Sequence, residues 1–280
     1  MDTRAAHRQA PATRLQGLAH GPIAGPLGLC RADLGALHDL RGESRQIPKG
    51  AHVRLRGREP EFAVLVLSGL LFRYIQKRDG RRQVVALYFP GDWATLEALV
   101  GTPLEGQIAA LVRTKARFIP RGEIRQLLDR SPRILRLLTI EALFQTGVQS
   151  AWLTRNSIMP AIASLAHFLC EVVIRSGAPG LDGTACCPFP FSQRMVGETL
   201  GLTPVHVNRT FRVLRERGLA DVTRGILRVN NGRELAALAE FDPHYLELRS
   251  TWPSDRAGNS DFLTVVMERP FERSWTRPSM

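Results

Sequence analysis

The stretch Phe191–Val229 leaves the chain the least freedom. It reads as two short amphipathic helices set around one glycine, followed by a tight two-strand hairpin. Ser192 is a helix N-cap, and Met195, Val196 and Leu200 give the first helix its apolar side. Gly201 supplies the turn between two crossed helices. Thr203 caps the second helix and Pro204 occupies its first position, where a missing N–H costs nothing. In that helix Val207, Phe211 and Leu214 fall on the inward side, while Val205, Asn208, Arg209 and Arg212 fall outward. Gly218-Leu219 ends it. Ala220–Thr223 and Ile226–Val229 then make a wing around Arg224-Gly225.

Small, polar and arginine side chains at the N-terminal end of an exposed helix suit base edges in a major groove. Arginine holds guanine O6 and N7 with two hydrogen bonds, and valine lies against a thymine methyl. Seven arginines face three acidic residues across Phe191–Val229. Arg194, Arg212, Arg224 and Arg228 are candidates for phosphate contact, which positions a protein and makes binding salt-dependent without specifying sequence. The other use of such a pattern is a helical hairpin for protein contacts.

Upstream the signals differ. From Ile47 to Pro120 short apolar runs alternate with turn residues: Val64–Leu67, Ser68-Gly69, Leu71–Ile75, then Lys77-Arg78-Asp79-Gly80-Arg81 and Gln83–Phe89. Asp79-Gly80 between two such runs predicts a hairpin in which both turn positions take positive φ. Pro90-Gly91-Asp92 is a further turn, and Ile108–Val112 and Ala116–Ile119 read as further strands. This spacing suggests an antiparallel barrel or roll.

After Pro120 the period becomes helical. Arg31–Leu40 and Gly122–Asp129 read as short helices, and Ser131-Pro132 starts a long one. Leu137, Ile140, Phe144, Val148 and Trp152 form one apolar stripe on it, with Leu135, Leu138 and Leu143 as a second face. One face can cover the sheets and the other a partner helix, or both can be buried within one monomer. Ala161–Arg175 is a further helix, which makes Arg155–Met159 a hinge. Gly177–Pro190 reads as a loop, and Glu234–Phe241 as a last helix.

The fold expected is α+β: an N-terminal antiparallel β-roll, a long helix and a C-terminal winged helix-turn-helix. The division is a lead-in over 1–28 without periodicity, a roll over 29–130, the long helix over 131–157, the winged region over 158–248 and a tail over 249–280.

The chain of 280 residues is 44% hydrophobic, enough for real cores. Its formal net charge of +12 favours a polyanionic partner, although an arginine-rich composition alone would give the same balance. Cys30, Cys170, Cys186 and Cys187 are too few and too scattered for a disulfide framework, which fits the cytoplasm. Cys170 sits on an apolar helix face; Cys186-Cys187 is either a redox switch or two ordinary loop thiols. His38 and His52 are isolated and fit structural roles better than metal ligation. The run Phe62–Phe72 is too short to span a bilayer, and neither a membrane nor a signal peptide is expected. No nucleophile–base pair, His-Glu-x-x-His or phosphate loop stands out, so no enzyme is expected. A general nucleic-acid coating protein would want aromatic stacking positions on an exposed sheet, which are lacking.

The run Ser192-Gln193-Arg194-Met195-Val196-Gly197, continued by Leu200-Gly201-Leu202-Thr203-Pro204-Val205-His206-Val207-Asn208-Arg209 and Leu214-Arg215-Glu216-Arg217-Gly218-Leu219, resembles the Crp/Fnr family of bacterial regulators. Leu67-Ser68-Gly69, Asp79-Gly80-Arg81 and Phe89-Pro90-Gly91-Asp92 resemble that family's sensor roll, which is of the cyclic-nucleotide-binding kind. The helix from Pro132 resembles its dimerisation helix. The likeness spans about Arg31–Tyr245. It implies a homodimer on double-stranded DNA, acting with RNA polymerase. It puts Arg209 at a guanine-reading position and Val205, His206 and Asn208 at positions that choose other bases or hold the backbone. Ser192, Gln193, Arg194, Thr203, Arg212 and Arg224 complete the expected DNA-binding set.

Two departures matter. The family often has glutamate where this chain has Val205. A carboxylate there accepts from cytosine N4 and valine cannot, so a different half-site is expected. Cyclic-nucleotide binders carry Gly-Glu and then Arg-Ser or Arg-Thr where this chain reads Thr95-Leu96 and Ile108-Ala109, so no cyclic AMP is expected. The N-terminal cysteine trio of the iron–sulfur members is also missing. No cofactor is expected.

Overall fold

The strands of the N-terminal half owe their pairing to side chains that alternate between two buried faces. In a computed structural model, residues 36–37, 40–53, 59–178 and 180–247 are described. The strands are β1 (Glu43–Ile47), β2 (Phe62–Ser68), β3 (Leu71–Gln76), β4 (Arg82–Tyr88), β5 (Gln107–Ala110) and β6 (Thr114–Pro120). They form two antiparallel three-stranded sheets, ordered β1-β6-β2 and β4-β3-β5. Val64 and Val66 of β2 enter a core with Leu71, Tyr88, Ile108 and Phe118, whereas Ala63 and Leu65 face a second cluster with Trp93, Ile124 and Leu138. This is the α+β roll that the turn spacing predicted.

A short helix α1 (Glu97–Val100) and α2 (Arg121–Arg130) precede α3 (Pro132–Ile158). The Ser131 hydroxyl accepts from Ile134 N and Pro132 opens the helix, so capping sets its start. Leu137, Ile140, Phe144, Val148 and Trp152 are all buried. Leu138 is buried with them rather than on the second face, while Leu135, Leu143, Leu153 and Ile158 are exposed. Helix α4 (Ala161–Arg175) follows directly.

Next come β7 (Ala185–Pro188), α5 (Gln193–Leu200), α6 (Pro204–Glu216), β8 (Ala220–Thr223), β9 (Ile226–Val229), α7 (Gly232–Leu238) and α8 (His244–Glu247). Strand β9 lies between β7 and β8. One continuous cluster joins this half to the roll: Phe72, Tyr74 and Val84 from the sheet, Phe144 and Trp152 from α3, and Phe168, Val207 and Leu227 beyond. The winged half is therefore packed on the roll.

Several expectations are corrected. The hinge over Arg155–Met159 is helical to Ile158, and the break falls at Met159-Pro160. The span 177–190 is not all loop, because β7 pairs with β9 and makes the wing three-stranded. Alternation along β7 leaves Cys186 exposed and Cys187 buried, on opposite faces. The β3–β4 connection is a hairpin, but only Gly80 has positive φ, and Gly80 N donates to Lys77 O. That is a type I turn closed by a left-handed glycine. The two-residue turn with both φ positive occurs instead at Arg224-Gly225. Strand β1 and helices α1 and α8 were not foreseen. Of the helix read over Arg31–Leu40, only Ala36, Leu37 and Leu40 are described, the first two as helical. The lead-in 1–28, Cys30, His38 and the tail 249–280 lie outside the described residues.

Candidate nucleic-acid interface and its junction with the roll

Helix α5 starts where the Ser192 hydroxyl accepts from Met195 N at 3.2 Å. It buries Met195, Val196 and Leu200, and Gly201 closes it with a left-handed φ of 70°. The turn after α5 folds back so closely that a Cβ at Gly197 would strike the Leu202 carbonyl. Glycine is required there by contact, since Gly197 is helical. Helix α6 starts on the Thr203 hydroxyl, which accepts from His206 N at 3.2 Å. Val207 and Leu214 are fully buried. Phe211 is only half-buried, and Thr210 takes the remaining inward place with its hydroxyl donating to His206 O.

The outward residues share one surface. Gln193, Pro204, Val205, Asn208, Arg209 and Arg212 line an open concavity of ≈ 490 Å³. Val205 is 80% exposed, a high value for an apolar side chain. Ser192, Arg194, Thr203, His206, Arg224 and Arg228 are exposed as well. Ser192 and Thr203 accept with their hydroxyl oxygens as caps, which fixes the helix starts and leaves each O–H available to donate outward. Arg224 stands at the tip of the wing, with Phe189 N donating to Gly225 O behind it.

The cations here differ in their partners. Arg194 Nε donates to Glu198 Oε1 at 2.9 Å. Arg212 and Glu216 are 3.5 Å apart, and Arg215 and Asp221 3.6 Å. Arg209 has no ion-pair partner among the described residues. Arg217, Arg224 and Arg228 likewise have none among the described residues, but of these four only Arg209 lines the concavity on α6.

The junction with the roll carries residues that sequence reading missed. Glu198 also accepts from Arg82 of β4, at 3.2 Å from Nε and 2.8 Å from NH2. Gln83 Nε2 and Asn156 Nδ2 both donate to Thr199 O, at 3.3 and 2.9 Å. Deeper lies a buried group of four charges. Arg175 donates to Asp92 Oδ2 at 2.7 Å, to Leu87 O at 2.8 Å and to Glu171 Oε1 at 3.0 Å. Glu171 Oε2 accepts from Trp152 Nε1 at 2.6 Å and from Tyr245 OH at 3.3 Å, and Arg155 NH1 lies 3.5 Å away. The Arg155 guanidinium sits over the Trp152 ring at 4.9 Å.

Burial opposes the charge on Arg175, yet Asp92 and Glu171 hold its pKa above the ordinary value. For Arg155 burial wins and the pKa is lowered. Two cations meet two carboxylates, so the group is neutral as a whole. It ties the Pro90-Gly91-Asp92 turn to α3, α4 and α8. No single residue in the sequence signalled it, because the partners lie up to 83 residues apart.

His52 Nε2 is 2.9 Å from Tyr74 OH. Burial raises the Cys170 thiol pKa to about 12 and also raises that of Cys187. Among the described residues no group of three His, Cys, Asp or Glu could hold a metal ion, and no helix is long and apolar enough to cross a membrane.

A paired-sheet roll joined by a long helix to a capped, basic winged helix-turn-helix defines a DNA-binding transcription regulator. Residues 163–238 match a Crp-like helix-turn-helix domain, and 44–131 match a cyclic nucleotide-binding domain. A probable transcriptional activator of Rhizobium leguminosarum bv. viciae is 26% identical over 225 residues, covering 77% of this chain and 85% of that protein. The transcriptional activator protein FnrA of Stutzerimonas stutzeri is 24% identical over 214 residues, covering 76% and 87%. The fold is also that of FixK2 from Bradyrhizobium japonicum, with a TM-score of 0.63 at 22% identity, over 71% of this chain and 98% of that one. The chain belongs to the Crp/Fnr family of transcriptional regulators.

Proposed function

We propose that the chain is a homodimer that reads an inverted-repeat DNA site with α6, under control of its roll. The observation that carries this reading is the outward face of α6. There an 80% exposed Val205, an exposed Asn208 and an Arg209 with no ion-pair partner among the described residues stand on one turn of a well-capped helix. In this reading Arg209 takes guanine O6 and N7 and Val205 lies against a thymine methyl. Arg194, Arg212 and Arg224 meet phosphates, and Ser192, Gln193, Thr203, His206 and Asn208 hold backbone or choose neighbouring bases.

The exposed Leu135, Leu143, Leu153 and Ile158 of α3 support pairing of two copies along that helix. Two α6 helices would then enter successive major grooves about 34 Å apart. The parts follow: roll over 29–130, dimerisation helix over 131–157, DNA-binding region over 158–248. Transcriptional output through RNA polymerase, in the cytoplasm, is what family membership leads us to expect.

A cyclic nucleotide does not fit the roll. Thr95 is fully buried, with its hydroxyl accepting from Val64 N and donating to Phe62 O. Ile108 and Ala109 offer no charge where a phosphate would lie. On β3, Arg73 falls on the same face as Leu71, within the roll, and Glu97 already holds it at 2.6 Å. Burying an unpaired anion there would be costly. The cysteines also lack the N-terminal trio used by iron–sulfur members, since Cys170, Cys186 and Cys187 all follow the roll. The roll would instead act through the buried charges at its junction, shifting the population of DNA-competent dimers.

Hydroxyl-radical footprinting on a DNA site selected by the protein tests this reading. Two protected patches one helical turn apart, lost with Arg209→Ala, are expected. Uniform protection along the duplex, or none that depends on Arg209, would overturn it.

A further inference from the structure

Glu198 stands between two arginines of different origin. Arg194, on its own helix, is 70% exposed on the outward surface and donates to Oε1 at 2.9 Å. Arg82 comes from β4 of the roll and donates to Oε1 and Oε2 at 3.2 and 2.8 Å. Arg82 is pinned from behind, with its guanidinium 4.7 Å from the centre of the Tyr74 ring. Tyr74 is fixed in turn, donating to Gln107 Oε1 at 2.8 Å. Thr199, the next residue on α5, takes donors from Gln83 of the roll and Asn156 of α3. The carboxylate end of α5 is thus held by groups from outside the winged half.

The charge count at this place has a consequence. Arg194 and Glu198 alone make a neutral surface pair, which draws a phosphate weakly. With Arg82 seated, the carboxylate is neutralised from the roll side and the trio carries one net positive charge. That charge is presented at Arg194, the most exposed member.

Resting on the DNA-binding reading above, we propose that Arg82 of the roll is a positioning residue for DNA: by seating on Glu198 it offsets the carboxylate's charge, so that Arg194 presents a net positive charge to a backbone phosphate. The roll then contributes one phosphate contact to the interface without touching DNA. A roll whose β4 shifts away from α5 weakens DNA binding without any change in α6.

The test is the salt dependence of binding by the full chain to a duplex that it selects, followed by fluorescence anisotropy. Each phosphate contact contributes about −0.9 to the slope of log K against log salt. Arg82→Ala is expected to make the slope shallower by about 0.9, and so is Arg194→Ala. Arg82→Lys, which keeps the charge, is expected to restore most of it. In a Glu198→Gln background there is no carboxylate charge for Arg82 to offset, so adding Arg82→Ala is expected to change nothing. Far-ultraviolet circular dichroism and thermal melts identify a variant that is not folded, and Arg82→Lys then carries the test. Equal losses for Arg82→Ala in both backgrounds would mean direct or long-range action of Arg82 and would overturn the proposal. So would an unchanged slope, or an Arg82→Lys protein as impaired as Arg82→Ala. If the wild-type chain selects no sequence at all, the DNA-binding reading fails first, and the two failures are distinguishable.

Discussion

Arg209 and Arg194 are one residue type on one surface, and the difference in the tasks proposed for them lies in their neighbours. Arg209 is unpaired among the described residues, whereas Arg194 is held by Glu198. His167 makes the same point in the interior. It stacks on Tyr245 at 5.9 Å, meets Phe241 edge-on at 4.9 Å, and its Nδ1 has no hydrogen-bond partner among the described residues. Burial first, and then Arg155, lower its pKa to about 4, with Glu171 opposing. The unfolded chain takes up this proton near the ordinary pKa of 6.5, before the folded one does. Stability is therefore lost as pH falls from about 6.5 to about 4, by an amount on the order of 3 kcal/mol. Urea melts across this range are expected to show a smaller acid loss for His167→Gln than for the wild type. Parallel curves would contradict the assignment.

Among the elements, α5 and α6 were legible because their signals are local. Ser192, Gly201, Thr203 and Pro204 mark ends within a few residues of each other, and the inward positions repeat at three and four. Strands β1 and β7 were not legible. Glu43–Ile47 is largely polar and Ala185–Pro188 contains a proline, and each gains its place only from a partner far along the chain, β6 and β9 respectively. The two Gly-containing turns show the limit of a dipeptide rule. Asp79-Gly80 forms the longer loop, while Arg224-Gly225 forms the tight one, because strand register rather than composition decides loop length. Helix α3 was legible in its buried stripe, but burial of Leu138 had to come from packing. Its exposed leucines carry a prediction. Leu143→Glu and Leu153→Glu together are expected to give a monomer in analytical ultracentrifugation at concentrations where the wild type is a dimer. DNA affinity should fall steeply with it, since half-sites would be bound singly. A variant that remains dimeric would remove α3 as the interface.

Across the whole molecule, the feature least visible in the sequence is the buried charge group at the junction. The sequence places Asp92 in a turn, Arg155 in a hinge and Glu171 and Arg175 on a helix, and only the fold brings them together with less than about 4% of any side chain exposed. Such a group is a poor source of stability but costly to break. Removing one member strands its partners, at roughly 3–5 kcal/mol. Arg175→Met is expected to lower the urea midpoint substantially, and Arg175→Met with Asp92→Asn to recover part of it. An additive double variant would mean that the two do not act as a pair.

The account as a whole rests on sequence-specific reading by α6, and selection from random DNA tests it most directly. The purified chain and its Arg209→Ala variant would each be put through selection at two salt concentrations. An enriched inverted repeat, with a guanine in each half-site that loses its preference in Arg209→Ala, is the predicted result. Enrichment of a site indifferent to Arg209, or salt-sensitive binding with no enriched sequence, would contradict it.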